Sequence, residues 1–328
     1  MALPGLTRLS ALLFFPLLFL FSCHPGSEKS PAEKNMAAPL KKTVPGFNED
    51  SAYQYTGMQV AFGPRVPGTT AHARCADFLK GKMESLGMNV ILQTAPVITY
   101  DGKKFTLKNI IASFRPEVNS RILLCAHWDT RPFADEDSID PDKPFDAAND
   151  GASGVGVLLE VARQIRLTPP GTGIDFIFFD LEDYGQSHDN TSWCLGSQYW
   201  SKNPHKQGYF ANYGILLDMI GADKAVFPKE ANSVEMASSV VNKVWSAASN
   251  AGYSDYFSQE VVSFVGVDDH IYINKIALVP CIDIIHYDRS TMAFGDYHHT
   301  HRDNMSLISK NTLKAVGQTL LEVIYNEQ

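Results

Sequence analysis

Short apolar runs alternate with segments of helical periodicity along most of this chain. Four runs predict buried β-strands at residues 121–126, 174–179, 213–217 and 277–285, although Pro280 weakens the last. Four segments with apolar residues at helical spacing predict helices at residues 71–86, 154–165, 233–251 and 311–325. This alternation predicts an α/β fold in a single domain, with a mostly parallel central β-sheet and helices on both faces. In such sheets a ligand site lies beyond the carboxyl ends of the strands.

Composition agrees with one folded domain and argues against nucleic acid as a partner. The chain has 328 residues, of which 45% are hydrophobic and 20% are charged. This apolar content can build a sizeable core and excludes global disorder. Its formal net charge is −8. Because an acidic protein is repelled by a polyphosphate, we expect no nucleic-acid partner.

The amino-terminal segment is typical of an exported protein. Residues 1–22 hold one charge, Arg8, and an apolar run at 12–21, which has the length of a signal-peptide core and is short for a membrane span. Cys23 follows a small residue behind this run, and the arrangement resembles a bacterial lipobox, in which the cysteine is lipidated. Residues 23–47 are rich in Pro, Ser, Ala, Glu and Lys, as flexible tethers are.

We therefore predict a lipoprotein signal peptide at residues 1–22, a flexible tether at 23–47 and a folded domain at 48–328. The protein would be exported and anchored at the periplasmic face of a bacterial membrane, which it would contact only through the lipid on Cys23. An ordinary secretory signal with a chance cysteine is the alternative. The four other cysteines lack the spacing of a metal motif, and the sequence does not fix whether they pair.

Carboxylate and imidazole side chains follow the predicted strands one after another. They are His127 and Asp129, Asp150, Asp180 with Glu182 and Asp183, Asp218, Asp268 to His270, and His298 to His301. A single Asp after a strand is usually a helix cap, but a series of this kind is hard to explain in that way. Clustered carboxylates repel one another, and a bound cation removes that penalty. Asp, Glu and His together suit zinc.

The order of these groups resembles the M28-type zinc aminopeptidase superfamily. The matching motifs are His127-x-Asp129, Asn149-Asp150-Gly151, Asp180-x-Glu182-Asp183, Asp218 and His299-Thr300. Within that superfamily the chain is similar to the glutaminyl cyclases. The features that favour this branch are Arg65-x-Pro67-Gly68-Thr69, Trp193, Leu217-Asp218-Met-Ile-Gly221-Ala222 and Asp268-Asp269-His270-Ile271.

The resemblance implies a zinc-dependent catalytic domain at residues 48–328 with one zinc ion per chain. The predicted zinc ligands are Asp150, Asp183 and His299. Glu182 would be the general acid and base, Asp218 and Asp268 would complete a proton network around it, and Trp193 would wall the substrate pocket. The implied reaction converts the N-terminal Gln of a peptide or protein to pyroglutamate and releases ammonia.

Two other interpretations stay open at this point. A di-zinc aminopeptidase of the same superfamily would bind a second zinc through His127 and Asp218, with Asp150 as the bridge. A catalytically silent binding lipoprotein would have lost Glu182 or a ligand, and neither is lost. Two departures from the common pattern are Asp183, where most members of the superfamily have Glu, and His298, where animal glutaminyl cyclases have Trp.

Overall fold

The computed structural model describes residues 43–262, 266–288 and 290–327, which belong to one compact unit. The predicted signal peptide, Cys23 and most of the predicted tether lie outside these residues. At the end of the tether, Phe47 is buried with its ring against Gly317, and its N–H donates to Gln318 Oε1 at 2.8 Å. The packed part of the chain therefore begins a few residues before position 48. Within the described ranges, no helix is both long and apolar enough to span a bilayer.

Eight strands and seven α-helices are found in the described residues. The strands are β1 (Asn89–Ile98), β2 (Lys104–Phe114), β3 (Arg121–His127), β4 (Gly173–Phe179), β5 (Tyr213–Asp218), β6 (Phe227–Glu230), β7 (Phe257–Val262) and β8 (Cys281–Ile285). The helices are α1 (Glu49–Val60), α2 (Thr70–Ser85), α3 (Ala152–Leu167), α4 (Leu195–Lys202), α5 (Ala231–Asn250), α6 (Asp269–Tyr272) and α7 (Lys310–Tyr325). A short 3₁₀ segment (Asn190–Ser192) and a π-helical turn (Ile273–Ala277) are also present.

Six strands form the central sheet in the order β1-β2-β4-β3-β5-β8. The β4–β3, β3–β5 and β5–β8 pairs are parallel, whereas β2 is antiparallel to both β1 and β4. Every residue of β3, β4 and β8 is buried, as expected for strands that are covered on both faces. A separate two-stranded parallel sheet joins β6 to β7. The predicted α/β class with a central sheet flanked by helices is confirmed, and the sheet is mixed at one edge.

The predicted strand at residues 277–285 is wrong in its first half. The chain forms the π-helical turn there, Leu278 is exposed and left-handed (φ 56°), and the strand begins only at Cys281. At the first residue of the strand, the Asn274 side chain occupies both backbone hydrogen-bonding groups of Cys281. Its Nδ2 donates to the Cys281 carbonyl at 2.7 Å, and its Oδ1 accepts from the Cys281 N–H at 3.1 Å.

Candidate active site

The loops at the carboxyl ends of β3, β4, β5 and β8, together with residues 266–268, line an open cavity of about 270 Å³. All seven residues that the sequence predicts for the site within the described ranges line this cavity: Asp150, Glu182, Asp183, Trp193, Asp218, Asp268 and His299. They come from several different loops and element ends, so the sheet, and not local sequence, brings them together. The parallel strands end on the same side, as the sequence pattern predicts.

Asp150, Asp183 and His299 meet around one point. His299 Nε2 lies 3.3 Å from Asp183 Oδ1 and 3.6 Å from Asp150 Oδ2. Ligands about 2.0–2.2 Å from a tetrahedral zinc ion are about 3.3–3.6 Å from one another, so these separations fit a zinc coordination sphere. Asp183 Oδ1 is also buried with no hydrogen-bond partner among the described residues. The three side chains therefore offer a cation an unsatisfied oxygen at the right spacing.

Neighbouring groups hold these three side chains in place. Asp303 accepts the backbone N–H of Asn149 at 2.6 Å and that of Asp150 at 2.9 Å, which fixes the loop before α3. The backbone N–H of Arg131 donates to Asp183 Oδ2 at 3.1 Å, so the other oxygen of Asp183, Oδ1, is the one left to bind a cation. Asp135 Oδ1 lies 3.4 Å from the second ring nitrogen of His299. A ligand set that is oriented in advance in this way is typical of metal sites in proteins.

A second group of possible ligands shares Asp150 with the first. His127 Nε2 lies 2.9 Å from Asp150 Oδ1 and 3.3 Å from Asp218 Oδ1. Neither contact has hydrogen-bond geometry, and both the imidazole nitrogen and Asp218 Oδ1 lack a partner among the described residues. These atoms also fit a cation, with Asp150 placed between the two groups. The geometry therefore accommodates the one-metal and the two-metal arrangement.

The electrostatics of the cavity favour bound positive charge. Burial by itself would lower the pKa of His299, but Asp183 and Asp135 raise that pKa to about 10. The pKa of His127 is likewise raised well above its usual value, against the effect of burial, by Asp129, Asp150 and Asp218. Without a metal, protons on these imidazoles offset the carboxylates. A divalent cation would supply the same charge and leave both imidazoles free to bind it.

Glu182 is next to this site and has different surroundings. Its Oε1 lies 3.1 Å from Cys194 Sγ, which donates to it, and Asp268 approaches within the same small cluster. Burial raises the pKa of Glu182 well above its usual value; His127 opposes the shift, and Asp183 and Asp268 add to it. A carboxyl group whose pKa is raised in this way holds a proton more readily than an exposed one, as a general acid–base catalyst must.

Asp129 fixes the turn that carries Glu182 and Asp183. Its two carboxylate oxygens accept the backbone N–H groups of these residues at 3.1 and 3.3 Å, and it is fully buried. Leu181, just before them, has a left-handed backbone (φ 56°), and His299 does too (φ 49°). A left-handed backbone is strained for residues other than glycine. Such residues are concentrated at active sites and ligand-binding sites.

Trp193 forms one side of the cavity, where the sequence predicts a wall. Its ring is stacked on His299 at 6.4 Å between centroids, and its Nε1 donates to the Gln186 carbonyl at 3.0 Å. His298, which replaces an aromatic residue of the animal cyclases, stacks on His299 at 3.7 Å and contacts Phe294 at 4.6 Å. Phe294 therefore supplies aromatic surface on that side of the cavity.

Three supporting residues were not predicted from the sequence: Asp303, Arg131 and Cys194. Each of them contacts a predicted site residue through its backbone or side chain. None of them was singled out by a position directly after a predicted strand. Asp303 follows His299 within the same polar loop, which is the one local hint. All four cysteines within the described residues are buried and free.

Comparison with known proteins agrees with this geometry. The sequence profile of Peptidase family M28 matches residues 109–324, about two thirds of the chain. The chain belongs to peptidase family M28. The superfamily resemblance predicted from the sequence is thereby confirmed, and the family supports zinc as the metal.

Two solved structures are similar over nearly all of the described domain. The glutaminyl cyclase of Bacteroides thetaiotaomicron, solved with N-acetylhistamine bound, is 52% identical with a TM-score of 0.85, covering 87% of this chain and 100% of that one. A Zn-dependent exopeptidase from Parabacteroides distasonis is 51% identical with a TM-score of 0.84 and the same coverage. The predicted resemblance to bacterial glutaminyl cyclases is confirmed by the first of these similarities.

Two of the curated relatives carry the names of these two activities. Aminopeptidase YwaD of Bacillus subtilis is 26% identical over 225 residues, which are 67% of this chain and 44% of that protein. The chain thus spans less than half the length of that aminopeptidase. The glutaminyl-peptide cyclotransferase of Drosophila melanogaster is 24% identical over 276 residues, 76% of this chain and 73% of that protein.

Proposed function

We propose that this protein is a zinc-dependent glutaminyl-peptide cyclotransferase that converts the N-terminal Gln of peptides or proteins to pyroglutamate. The observation that carries the proposal is the pairing of a partly buried Glu182, whose pKa is raised, with the cation site of Asp150, Asp183 and His299 in one small cavity. Sequence identity of about 50% to bacterial glutaminyl cyclases over the whole domain supports the same activity.

The reaction needs positioning and proton transfer but no nucleophile from the protein. The α-amine of Gln attacks its own γ-amide carbonyl, a ring C–N bond forms, and the bond to the amide nitrogen breaks to release ammonia. Trp193 would hold the folded side chain in this near-attack geometry. Glu182 would take a proton from the α-amine and deliver it to the leaving amide nitrogen. Asp218 and Asp268 would share in holding that proton beside Glu182. Zinc, when bound, polarises the carbonyl oxygen.

One zinc ion per chain is sufficient for this chemistry. A hydrolase must generate hydroxide from water, and a second cation helps it to do so. A cyclase receives its nucleophile as the amine of the substrate, and a second cation beside that amine would bind it and lower its reactivity. We therefore assign the zinc to Asp150, Asp183 and His299, and leave the imidazole of His127 as a neighbour of Asp150 and Asp218 that binds no metal.

Aminopeptidase activity is the second candidate. The observation that favours it is the group formed by His127, Asp150 and Asp218, which fits a second cation without any rearrangement. The similarity to a Zn-dependent exopeptidase points the same way. In that reaction Glu182 would accept a proton from the attacking water.

A single incubation separates the two activities. The purified domain, with its metal content measured, is mixed with a peptide that begins with Gln and, in parallel, with the same peptide beginning with Ala. A cyclase releases ammonia and a ring-closed product from the first peptide and leaves the second intact. Release of free Gln or Ala from either peptide would identify an aminopeptidase.

The site of action is part of the proposal. Cys23 and the segment before it lie outside the described residues, and the proposal for them is based on the sequence alone. We propose that the protein is exported and held by a lipid on Cys23 at the periplasmic face of a bacterial membrane, where it meets the N-termini of other exported proteins.

A further inference from the structure

An acidic side chain lies at the centre of a strand that is otherwise apolar. Asp283 is the middle residue of β8 (Cys281–Ile285), and all five residues of this strand are buried. The exposed fraction of Asp283 is 0%. Its backbone is held in the sheet opposite Leu216, and its N–H donates to Ser233 Oγ at 2.9 Å. Neither carboxylate oxygen, however, has a hydrogen-bond partner among the described residues.

Asp283 points toward another carboxylate that is also unsatisfied. Ligand atoms of Asp283, Asp268 and His270 all lie within 4.8 Å of one another, and all three residues are buried. One oxygen of Asp268 accepts the Asp269 N–H at 2.5 Å, whereas its Oδ2 has no partner in the described part of the chain. Charged or titratable groups approach Asp283 from three directions: Asp268 and His270 from α6, Asp218 from the end of β5, and Glu230 from the start of α5.

Two ionised carboxylates within 4.8 Å of each other in a buried site, with the Asp269 N–H as the one donor to their oxygens among the described residues, repel each other strongly. Either a proton or a cation must lie between them. His270 lies in the same cluster, and neither of its ring nitrogens has a hydrogen-bond partner among the described residues. Any charge on this ring is already offset by Glu230, whose Oε2 lies 3.3 Å from its Nε2. Glu230 itself accepts the N–H groups of Asn232 and Ser233 at 2.8 and 2.6 Å, which favours its ionised form as the partner of His270.

We propose that Asp283 is a positioning residue that shares one proton with Asp268 and thereby fixes Asp268 beside Glu182. This inference rests on the proposed function, because Asp268 matters to the reaction only if it belongs to the proton network around Glu182. The acid–carboxylate hydrogen bond gives a partner to Asp268 Oδ2 and to one of the two unpaired oxygens of Asp283. Asp268 is then held from two sides, by the Asp269 N–H and by the proton of the pair.

The surroundings of both groups agree with the shared proton. Burial raises the pKa of Asp283 well above its usual value, and Asp268 and Asp218 add to the shift. Burial and Asp218 likewise raise the pKa of Asp268 to about 6, although His270 opposes the shift.

Infrared spectroscopy of the metal-loaded domain tests whether Asp283 and Asp268 share a proton. Metal analysis of the same samples tests whether a cation lies there instead. The difference spectrum between the native protein and Asp283→Asn should contain the C=O band of one protonated carboxyl group, lost in the variant. The zinc content of both proteins should be equal. This measurement does not depend on turnover, so it stays valid even if the protein proves not to be a cyclase.

Two substitutions at position 283 test the positioning role. Asn retains a hydrogen-bond donor for Asp268, so Asp283→Asn should keep kcat within about threefold of the native value. Ala removes the donor and leaves Asp268 unsatisfied, so Asp283→Ala should lower kcat by about 10- to 100-fold, with KM changed little. Asp175→Asn is the matched control: Asp175 is also a buried strand aspartate, but it pairs with Arg121 at 2.7 Å near the start of β4, away from the site. The control should lose thermal stability and keep kcat.

Three results would overturn the inference. An unchanged carboxyl band in Asp283→Asn means that the pair holds no proton. A second metal ion in the native protein that disappears in Asp283→Ala means that a cation occupies the space. A native kcat in a folded Asp283→Ala means that Asp283 does not position Asp268. Absence of any pyroglutamate product with the native protein would instead refute the proposed function, while the infrared result would stand.

Discussion

Glu182 and Asp183 are adjacent in sequence, yet their carboxylates have different surroundings. One oxygen of Asp183 accepts the backbone N–H of Arg131. The other oxygen has no hydrogen-bond partner among the described residues and lies near His299. Glu182 lies against Cys194 and Asp268, where acidic neighbours and burial favour its protonated form. The backbone contacts of Asp129 fix the turn that directs the two side chains to these different places. One turn of chain thus provides a metal ligand and a proton carrier.

Replacement of Glu182 by Gln should abolish turnover and leave the metal bound. The amide keeps the size of the side chain but cannot carry a proton, and loss of a general acid–base group typically costs about 10²- to 10⁴-fold in rate. The measurement is kcat on a Gln-initiated peptide together with the zinc content. Asp183→Ala is the contrasting variant, because it should lose zinc as well as activity. A native rate in Glu182→Gln would remove this residue from the mechanism.

Replacement of Asp303 by Asn should weaken zinc binding. Asp303 uses both of its oxygens to hold the backbone of Asn149 and Asp150, and the amide keeps only one acceptor. Substitutions that disturb the orientation of a ligand typically reduce metal affinity by about 10- to 100-fold. Zinc affinity is measured by competition with a chelator, with Asp175→Asn as the control for a buried aspartate outside the site. Equal affinity in the native protein and in Asp303→Asn would contradict the orienting role.

At the scale of elements, the sequence predicts the strands that are buried on both sides and misses those that are not. The strands β3, β4 and β5 are continuous apolar runs, so their limits are predicted to within about one residue. The edge strand β1 consists mainly of exposed and half-buried residues and includes Pro96, so it carries no such run. The predicted start of β8 is wrong because the backbone turns at the left-handed Leu278, so the apolar run at residues 277–280 does not extend the strand.

In the candidate site, too, the sequence predicts only the residues that follow a local pattern. The strand-end positions of Glu182, Asp183 and Asp218 are visible in the sequence, because parallel strands bring their carboxyl ends together. The supporting contacts of Asp303 and Asp283 connect residues that are distant in the sequence and depend on which oxygen is left without a partner. Such contacts follow from the packed structure and have no local sequence pattern.

Two helical glycines should respond in opposite ways to replacement by Ala. A Cβ at Gly154, in α3, would lie 2.6 Å from the Leu217 carbonyl oxygen and 3.0 Å from the Ala126 Cβ. Gly154→Ala should therefore force the helix away from the sheet and reduce the free energy of unfolding by about 1–3 kcal/mol. Gly81 lies in α2 and is exposed, and a Cβ added there would meet nothing within 4 Å. Gly81→Ala should increase the free energy of unfolding by about 0.5–1 kcal/mol. Denaturant unfolding of both variants checks the pair, and equal effects would contradict the close approach of α3 to the sheet.

At the scale of the whole molecule, the anchor and the catalytic domain are expected to be independent. Cys23→Ser should abolish lipid attachment and leave the domain folded and active, because the predicted tether at residues 23–47 separates the two. Mass spectrometry of the amino-terminal peptide and fractionation of membranes measure the attachment. An unmodified Cys23 in the exported native protein would contradict the proposed anchor.

The metal content of the whole protein distinguishes the two candidate activities most sharply. Both groups of ligands are present, and they share Asp150, so the geometry permits either one or two cations. We expect one zinc ion per chain after purification without added zinc, because an amine nucleophile makes a second cation unnecessary.

His127→Ala tests this expectation. His127 Nε2 lies 2.9 Å from Asp150 Oδ1 and 3.3 Å from Asp218 Oδ1, so with one zinc the imidazole serves only as a neighbour of these carboxylates. The variant should then keep its single zinc ion and lose part of its activity, since Asp150 and Asp218 lose the imidazole that offsets their charge. Two tightly held zinc ions in the native protein, one of which is lost in His127→Ala together with all activity, would favour the aminopeptidase. The second cation would in that case occupy the space that a cyclase leaves to the amine of its substrate.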